Sequence, residues 1–377
     1  MVALPYQMPA WVVREERHGD PLHAMLLESV LVPKARRGEV IVLVKAAGIN
    51  HNHLWACKGL PIKISKLHPE DPEHIGGSDA AGVVVSVGPG VSRWKAGDEV
   101  ITHPCQVCGL CDVCLGLMTG LCHKQKAWGF ETSYGSFAHY ARVQAQQLLP
   151  KPKHLSWAEA SSYGLKLFTT YRMLVTQSNM KRSDYVLIWG ASGGMGSYAI
   201  QLCLAMGAKP ICVVSSLEKA DYCRSLGAEM ILDRREFPYL QSTGNNESPS
   251  ELKRFGQAVK ALTGGHLPDI VFEHTGVQTF ATSVFVASSQ GKVVLCGATS
   301  GYKLSFDARY LWMQQKQIIG TYGCDGKDAA AANRLVEQHI IKPTLSETFA
   351  FESAAIAHQR LLKDRVCVGS LSLSLDL

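Results

Sequence analysis

The stretch YVLIWGASGGMGSYAIQLCLAMGAKPICVVSS, Tyr185 to Ser216, constrains the fold more than any other part of the chain. An apolar strand runs into a glycine-rich turn, an apolar helix follows, and a second apolar strand closes the segment. That order is a βαβ unit, whose crossover lays a helix on a parallel sheet. Gly190, Gly193, Gly194 and Gly196 let the backbone turn tightly and approach a pyrophosphate, with Ser192 and Met195 completing the loop. The start of the following helix offers free N–H groups and the positive end of its dipole. In a strand–turn–helix setting the cluster reads as a dinucleotide loop rather than a plain tight turn.

The end of the second strand bears on which dinucleotide is bound. An NAD site carries an Asp or Glu there for the ribose hydroxyls. This chain has Ser215 and Ser216, then Lys219 one helical turn on and Arg224 beyond it. Hydroxyls with cations suit a 2′-phosphate and favour NADPH. The alternative is a helix cap at Ser216 with solvated cations.

DIVFEHTG and GKVVLCGATSG supply further buried strands to this half. Upstream, residues 25–60 read as strands, and GGSDAAGVVVSVGPGVSRWKAGDEVI has short apolar runs broken by Gly-Pro-Gly and Ala-Gly-Asp turns. This half is barrel-like. YLWMQQKQIIGTYG reads as the return to it, so the expected organisation is 1–158, then 159–319, then 320–377 completing the first domain. With 46% hydrophobic residues, the 377-residue chain has the apolar material for both cores.

A formal charge of +6 with scattered cations gives no run suited to nucleic acid. No apolar run approaches the ~20 residues that span a bilayer. The start lacks a basic head followed by an apolar core, so a cytoplasmic protein is expected. The twelve cysteines then do not read as a disulfide framework. Cys108, Cys111, Cys114 and Cys122 have the spacing of a closed tetrahedral zinc site with no open position, a structural metal. The alternative is reduced thiols in a loop; Cys105, close by, is not part of the set.

These elements together resemble the medium-chain dehydrogenase/reductase superfamily over nearly the whole chain. The resemblance implies an α/β protein: a Rossmann doubly wound parallel sheet plus a GroES-like β-barrel catalytic domain. Zinc members hold their catalytic ion at positions that here read Asn50, Ser78 and Leu165. Asn, Ser and Leu cannot hold zinc against water. His51 and His53, read as lying on a strand or turn, suit a surface or hydrogen-bonding role. Metal-free members reduce carbon–carbon double bonds conjugated to a carbonyl, where the enolate needs only hydrogen bonds. The superfamily also implies a homodimer or homotetramer joined edge to edge, with GKVVLCGATSG as the edge segment.

WGFETSYGSFAHYA, LLPKPKHLSWAEA, ICVVSSLEKADYCRSLGAE, DIVFEHTG and RYLWMQQKQIIG resemble the crotonyl-CoA carboxylase/reductase group more narrowly. Members reduce an enoyl thioester with NADPH and trap the enolate with carbon dioxide. The group's carbon dioxide-holding Asn, Phe–Glu pair and His fall at Asn52, Phe130, Glu131 and His274. Apart from carbon dioxide, the implied partner is an enoyl thioester on coenzyme A or a carrier protein. Thr275 and Lys166 depart from the group, which has Pro and a small or apolar residue there. The competing readings are a non-carboxylating alkene or quinone reductase and a catalytically silent NADPH-binding relative.

Overall fold

The computed structural model describes residues 4–68, 73–116, 118–241, 248–363 and 368–375. The chain divides into two compact units, Met1–Phe168 with Gly323–Leu377, and Thr169–Tyr322. The first is GroES-like and the second Rossmann-like, in a mixed α/β fold.

The second unit is built on six parallel strands in the order Met230–Asp233, Lys209–Val214, Tyr185–Ile188, Ile270–Glu273, Lys292–Leu295, Gln317–Gly320. Chain order reverses at Tyr185–Ile188, which makes the carboxyl end of that strand the switch point where such sheets bind ligands. Leu187 pairs with Ile211 on one side and Val271 on the other, and all three are fully buried. A parallel sheet covered by helices has no solvated face, hence the unbroken apolar runs.

The structure corrects the expected edge. Lys292–Leu295 lies inside the sheet, because Gln317–Gly320 pairs with its outer side, Val293 opposite Ile318 and Val294 opposite Ile319. The segment read as a return therefore first adds a strand. Only four residues of it are β, too short a run to stand out as a strand.

In the first unit, seven strands form the main sheet, and Glu39–Ile49 is its hub, pairing with Ala80–Val87, Tyr140–Gln144 and Ser370–Ser374. Val40, Val42, Val44 and Ala47 from the hub pack with Trp128, Phe137, Leu371 and Leu373. The last of these strands come from the return segment, so the core needs both ends of the chain.

Residues 25–60 are not all strand. His51–Lys58 is a helix ended by Gly59 in the left-handed conformation. His53, Leu54, Ala56 and Cys57 make its buried face, a helical spacing that the many polar residues around it obscure. Among the described residues no helix is long and apolar enough to cross a membrane.

Candidate active site and cofactor loop

Asn50 and Leu165 share hydrogen bonds to one carboxylate, and Ser78 accepts from Asn52 instead. Asn50 Nδ2 donates to Asp79 Oδ2 at 2.8 Å, and the Leu165 N–H donates to Asp79 Oδ1 at 2.6 Å. Asn52 Nδ2 donates to Ser78 Oγ at 2.7 Å. Asp79 is 1% exposed and Lys166 8%. Burial pushes the Asp79 carboxyl up, while the Lys166 charge, Asn50 and the Leu165 N–H act against that shift. A single ammonium thus acts on the buried carboxylate. Neither Asp79 nor Lys166 was picked out from the sequence as part of this arrangement. The serine-aspartate pair after GG was the available signal for Asp79.

Asn52 is placed by the first turn of the helix His51–Lys58. One of its two amide protons is committed to Ser78. Of the two neighbouring histidines, expected in surface or hydrogen-bonding roles, only His51 takes one. His51 is exposed, but His53 is 1% exposed and neither of its ring nitrogens is hydrogen-bonded among the described residues. It packs edge-on against Phe137 and His358, with ring centroids 4.8 and 4.9 Å away. Both histidines lie on the helix, not on a strand or turn, and the helical spacing turns one out and the other in.

Phe130 is half-buried and packs edge-to-face with Trp55, centroids 6.3 Å apart, so it leans on the helix that carries Asn52. Glu131 Oε2 accepts the Ala127 N–H at 2.7 Å, and the Glu131 N–H returns to the Ala127 carbonyl at 2.7 Å. The pair of bonds closes the turn that presents Phe130.

In the second unit the glycine turn opens the helix Gly194–Met206, with Gly193 as its N-cap residue. A Cβ on Gly196 would lie 2.4 Å from the Gly190 carbonyl oxygen, so the turn can close only with glycine there. The Ser197 hydroxyl donates to the Gly193 carbonyl at 2.9 Å. Ser192 is buried beside these glycines, and Met195 packs its sulfur toward Cys296. The helix start, the bare backbone and the switch-point position fit a dinucleotide pyrophosphate.

His274 follows the strand Ile270–Glu273, and its Nε2 lies 3.0 Å from the Trp189 carbonyl. A nitrogen facing a carbonyl carries the proton, so the neutral ring has a bare Nδ1. Burial lowers the His274 pKa, and the Glu273 charge opposes that shift. Glu273 itself is fully buried. It accepts the N–H groups of Thr275 and Gly276 at 2.7 and 3.1 Å and the hydroxyls of Thr279 and Ser283 at 2.9 and 2.7 Å. This residue anchors the loop behind His274; the FEH triplet contained it, but nothing in the sequence shows that these four donors converge on it.

At the end of Lys209–Val214, Ser216 caps the helix Leu217–Ser225 by accepting the Lys219 N–H at 3.3 Å. Lys219 Nζ donates to Ser215 Oγ at 3.3 Å, so a hydroxyl and an ammonium share one spot with no acidic residue at the strand end. Arg224 is elsewhere. It is exposed, paired with Asp221 at 2.8 Å, and about 12 Å along the helix from Ser216 at 1.5 Å per residue.

The four lobe cysteines are gathered with their sulfurs all within 4.8 Å. Cys108 Sγ lies 3.9 Å from Cys114 and 3.6 Å from Cys122, and Cys111 lies 3.9 Å from Cys122. Sulfurs about 2.3 Å from a tetrahedral zinc would be ~3.8 Å apart, whereas a disulfide needs ~2 Å. The donor set and spacing fit zinc.

Residues 36–153 match the alcohol dehydrogenase GroES-like domain family and residues 194–338 the zinc-binding dehydrogenase family. The chain is 43% identical over 378 residues to the crotonyl-CoA carboxylase/reductase of Cereibacter sphaeroides, covering 98% of this chain and 88% of the relative. It is 45% identical over 382 residues to the crotonyl-CoA reductase of Streptomyces collinus, covering 94% and 83%. Among solved structures, a 2-octenoyl-CoA carboxylase reductase in complex with NADP and 2-octenoyl-CoA superposes with a TM-score of 0.94 at 38% identity, covering 99% of this chain and 88% of that one. Identity at this level, end to end and on the same two-unit fold, places the chain in the crotonyl-CoA carboxylase/reductase family.

Proposed function

We propose that the chain is an NADPH-dependent enoyl-thioester reductase that traps its enolate intermediate with carbon dioxide. The observation that carries this reading is the hydrogen-bonded set Asn50–Asp79 and Asn52–Ser78 at the vacated metal positions, in a chain 43% identical to a crotonyl-CoA carboxylase/reductase. NADPH, when bound, supplies a hydride to Cβ of the enoyl thioester, and the π electrons move to Cα as an enolate. The enolate carbon then bonds to the carbon of carbon dioxide, one C=O π pair moves to oxygen, and an alkylmalonyl thioester results.

Asn52 holds one end of carbon dioxide with the amide proton that Ser78 does not take. His274 acts on the other end through a water: bare Nδ1 accepts from the water, whose second proton reaches the gas oxygen. Glu131 braces the turn that sets Phe130, and Phe130 keeps bulk water from protonating the enolate. Ser215, Ser216 and Lys219 receive the 2′-phosphate, and the loop from Gly190 to Gly196 receives the pyrophosphate. The thioester carrier is coenzyme A, as in the solved relative bound to 2-octenoyl-CoA. Cys108, Cys111, Cys114 and Cys122 hold a structural zinc that braces their lobe. The protein works in the cytoplasm as a homodimer joined through Gln317–Gly320, near which Trp312, Met313 and Ile318 are exposed.

Mass analysis of products formed from crotonyl-CoA, NADPH and isotopically labelled bicarbonate tests the reaction. The intact enzyme is expected to incorporate label. Asn52→Leu and His274→Ala are expected to divert product to the saturated thioester while NADPH oxidation continues, a shift of ~1–3 kcal/mol in partition. Reduction without label on any enoyl thioester would make the protein a plain reductase, with Thr275 and Lys166 the first residues to exchange.

A further inference from the structure

Outside the sites above, the first unit gathers one imidazole and two thiols from two segments far apart in the chain. His103 follows the strand Glu99–Thr102, Cys105 opens the short strand Cys105–Gln106, and Cys324 lies in the return segment. Their ligand atoms all lie within 4.8 Å of one another. They are 4%, 3% and 0% exposed, so water does not solvate them.

The surroundings are those of a thiolate, not of an apolar thiol. Cys105 Sγ accepts the Cys324 N–H at 3.2 Å and the Gln125 amide at 3.4 Å. A Cβ on Gly323 would lie 2.4 Å from that sulfur, so the return segment is pressed directly against it. His103 Nε2 lies 3.3 Å from the Gln146 carbonyl. Metal-bound histidines are oriented in this way, one nitrogen on a carbonyl and the other toward the ion. Here the other nitrogen, Nδ1, accepts the Cys105 N–H at 3.3 Å, a long bond that its lone pair exchanges for the ion on binding.

We infer that His103, Cys105 and Cys324 form a second metal site, distinct from the four-cysteine lobe, that takes zinc through two thiolates and one imidazole. Zinc–sulfur bonds of ~2.3 Å and a zinc–nitrogen bond of ~2.0 Å need donors about 3.5–3.8 Å apart, within the spread seen. Both thiols lose their protons on binding, and those protons pass to solvent. The burial rules out substrate access, so the ion is a staple. It ties the segment that re-enters the first unit to the strand at the base of the lobe.

The test uses the full chain, stripped of metal under reductant and titrated with cobalt(II) and then zinc. Two equivalents per chain are expected. The cobalt spectrum should contain both a four-thiolate component and a two-thiolate, one-imidazole component. Cys324→Ala should lower the count from two to one and remove only the second component, while Cys111→Ser should remove only the first. Should Cys324→Ala not fold, X-ray absorption on the zinc-loaded unmodified chain decides. An average near three sulfurs with a nitrogen contribution at two equivalents supports the site. Saturation at one equivalent with four sulfurs overturns it, as does full retention of metal by folded Cys324→Ala. A Cys105–Cys324 disulfide in freshly reduced, metal-exposed protein would overturn it too.

Discussion

At the scale of single residues, two side chains carry sharp expectations. Lys219 shares its ammonium with the Ser215 hydroxyl and is the one cation among the proposed cofactor residues that sits there. Lys219→Ala should raise the KM for NADPH by about tenfold, ~1–2 kcal/mol for a half-exposed charged contact, and leave that for NADH nearly unchanged. Steady-state kinetics with both cofactors check this, and equal KM changes would remove the 2′-phosphate role. Glu273 accepts the Thr275 and Gly276 N–H groups. Glu273→Ala would strand buried donors and should cost roughly 3 kcal/mol of stability. Glu273→Gln keeps one carbonyl acceptor and should cost less. Urea melts of the two variants rank them, and an unchanged midpoint for Glu273→Ala would show that the loop does not depend on this carboxylate.

At the scale of elements, the strand Gln317–Gly320 closes one side of the parallel sheet, and Ile318 on it is 38% exposed. An open edge invites pairing with a second copy, and a charge on it blocks pairing. Ile318→Lys should convert the proposed dimer to a monomer by light scattering at micromolar concentration, with little effect on the thermal midpoint of each chain. A substitution inside GKVVLCGATSG could not make that distinction, because Val293 and Val294 are fully buried in the sheet. A dimer that survives Ile318→Lys would place the interface on another surface.

At the scale of the whole molecule, buried histidines set an acid limit. Burial lowers His74 to about 3 and His358 to about 4, and puts His53 well below its ordinary value. The unfolded chain binds these protons near pH 6.5 and the folded chain does not, so the unfolded state gains as pH falls. Their stabilisation is complete above about pH 6.5 and is lost as pH drops toward 4 and 3. Each histidine contributes a slope of ~1.4 kcal/mol per pH unit within its window. Thermal midpoints should fall steadily from pH 7 to pH 5, and His358→Gln should flatten the fall. A midpoint constant over that range would mean the cluster takes up protons without unfolding.

The sequence alone determined what depends on local pattern. The βαβ run from Tyr185 to Ser216, the glycine loop and the cysteine spacing follow from short-range chemistry, and each is visible within a few dozen residues. That Asn50, Ser78 and Leu165 stand where zinc members carry ligands followed from the superfamily resemblance rather than from local chemistry. Tertiary structure alone decided what depends on convergence from afar. Polar letters hid the helix His51–Lys58, whose buried face exists only because His74, Phe137 and His358 surround His53. The sheet edge at Gln317–Gly320 was four residues inside a mostly polar stretch, so pairing rather than composition defined it. Asp79 meeting Asn50 and the Leu165 N–H, and Cys105 meeting Cys324 across 219 positions, leave no mark in either segment by itself. Burial fixes which of these polar atoms must find partners, and burial is a property of the folded chain.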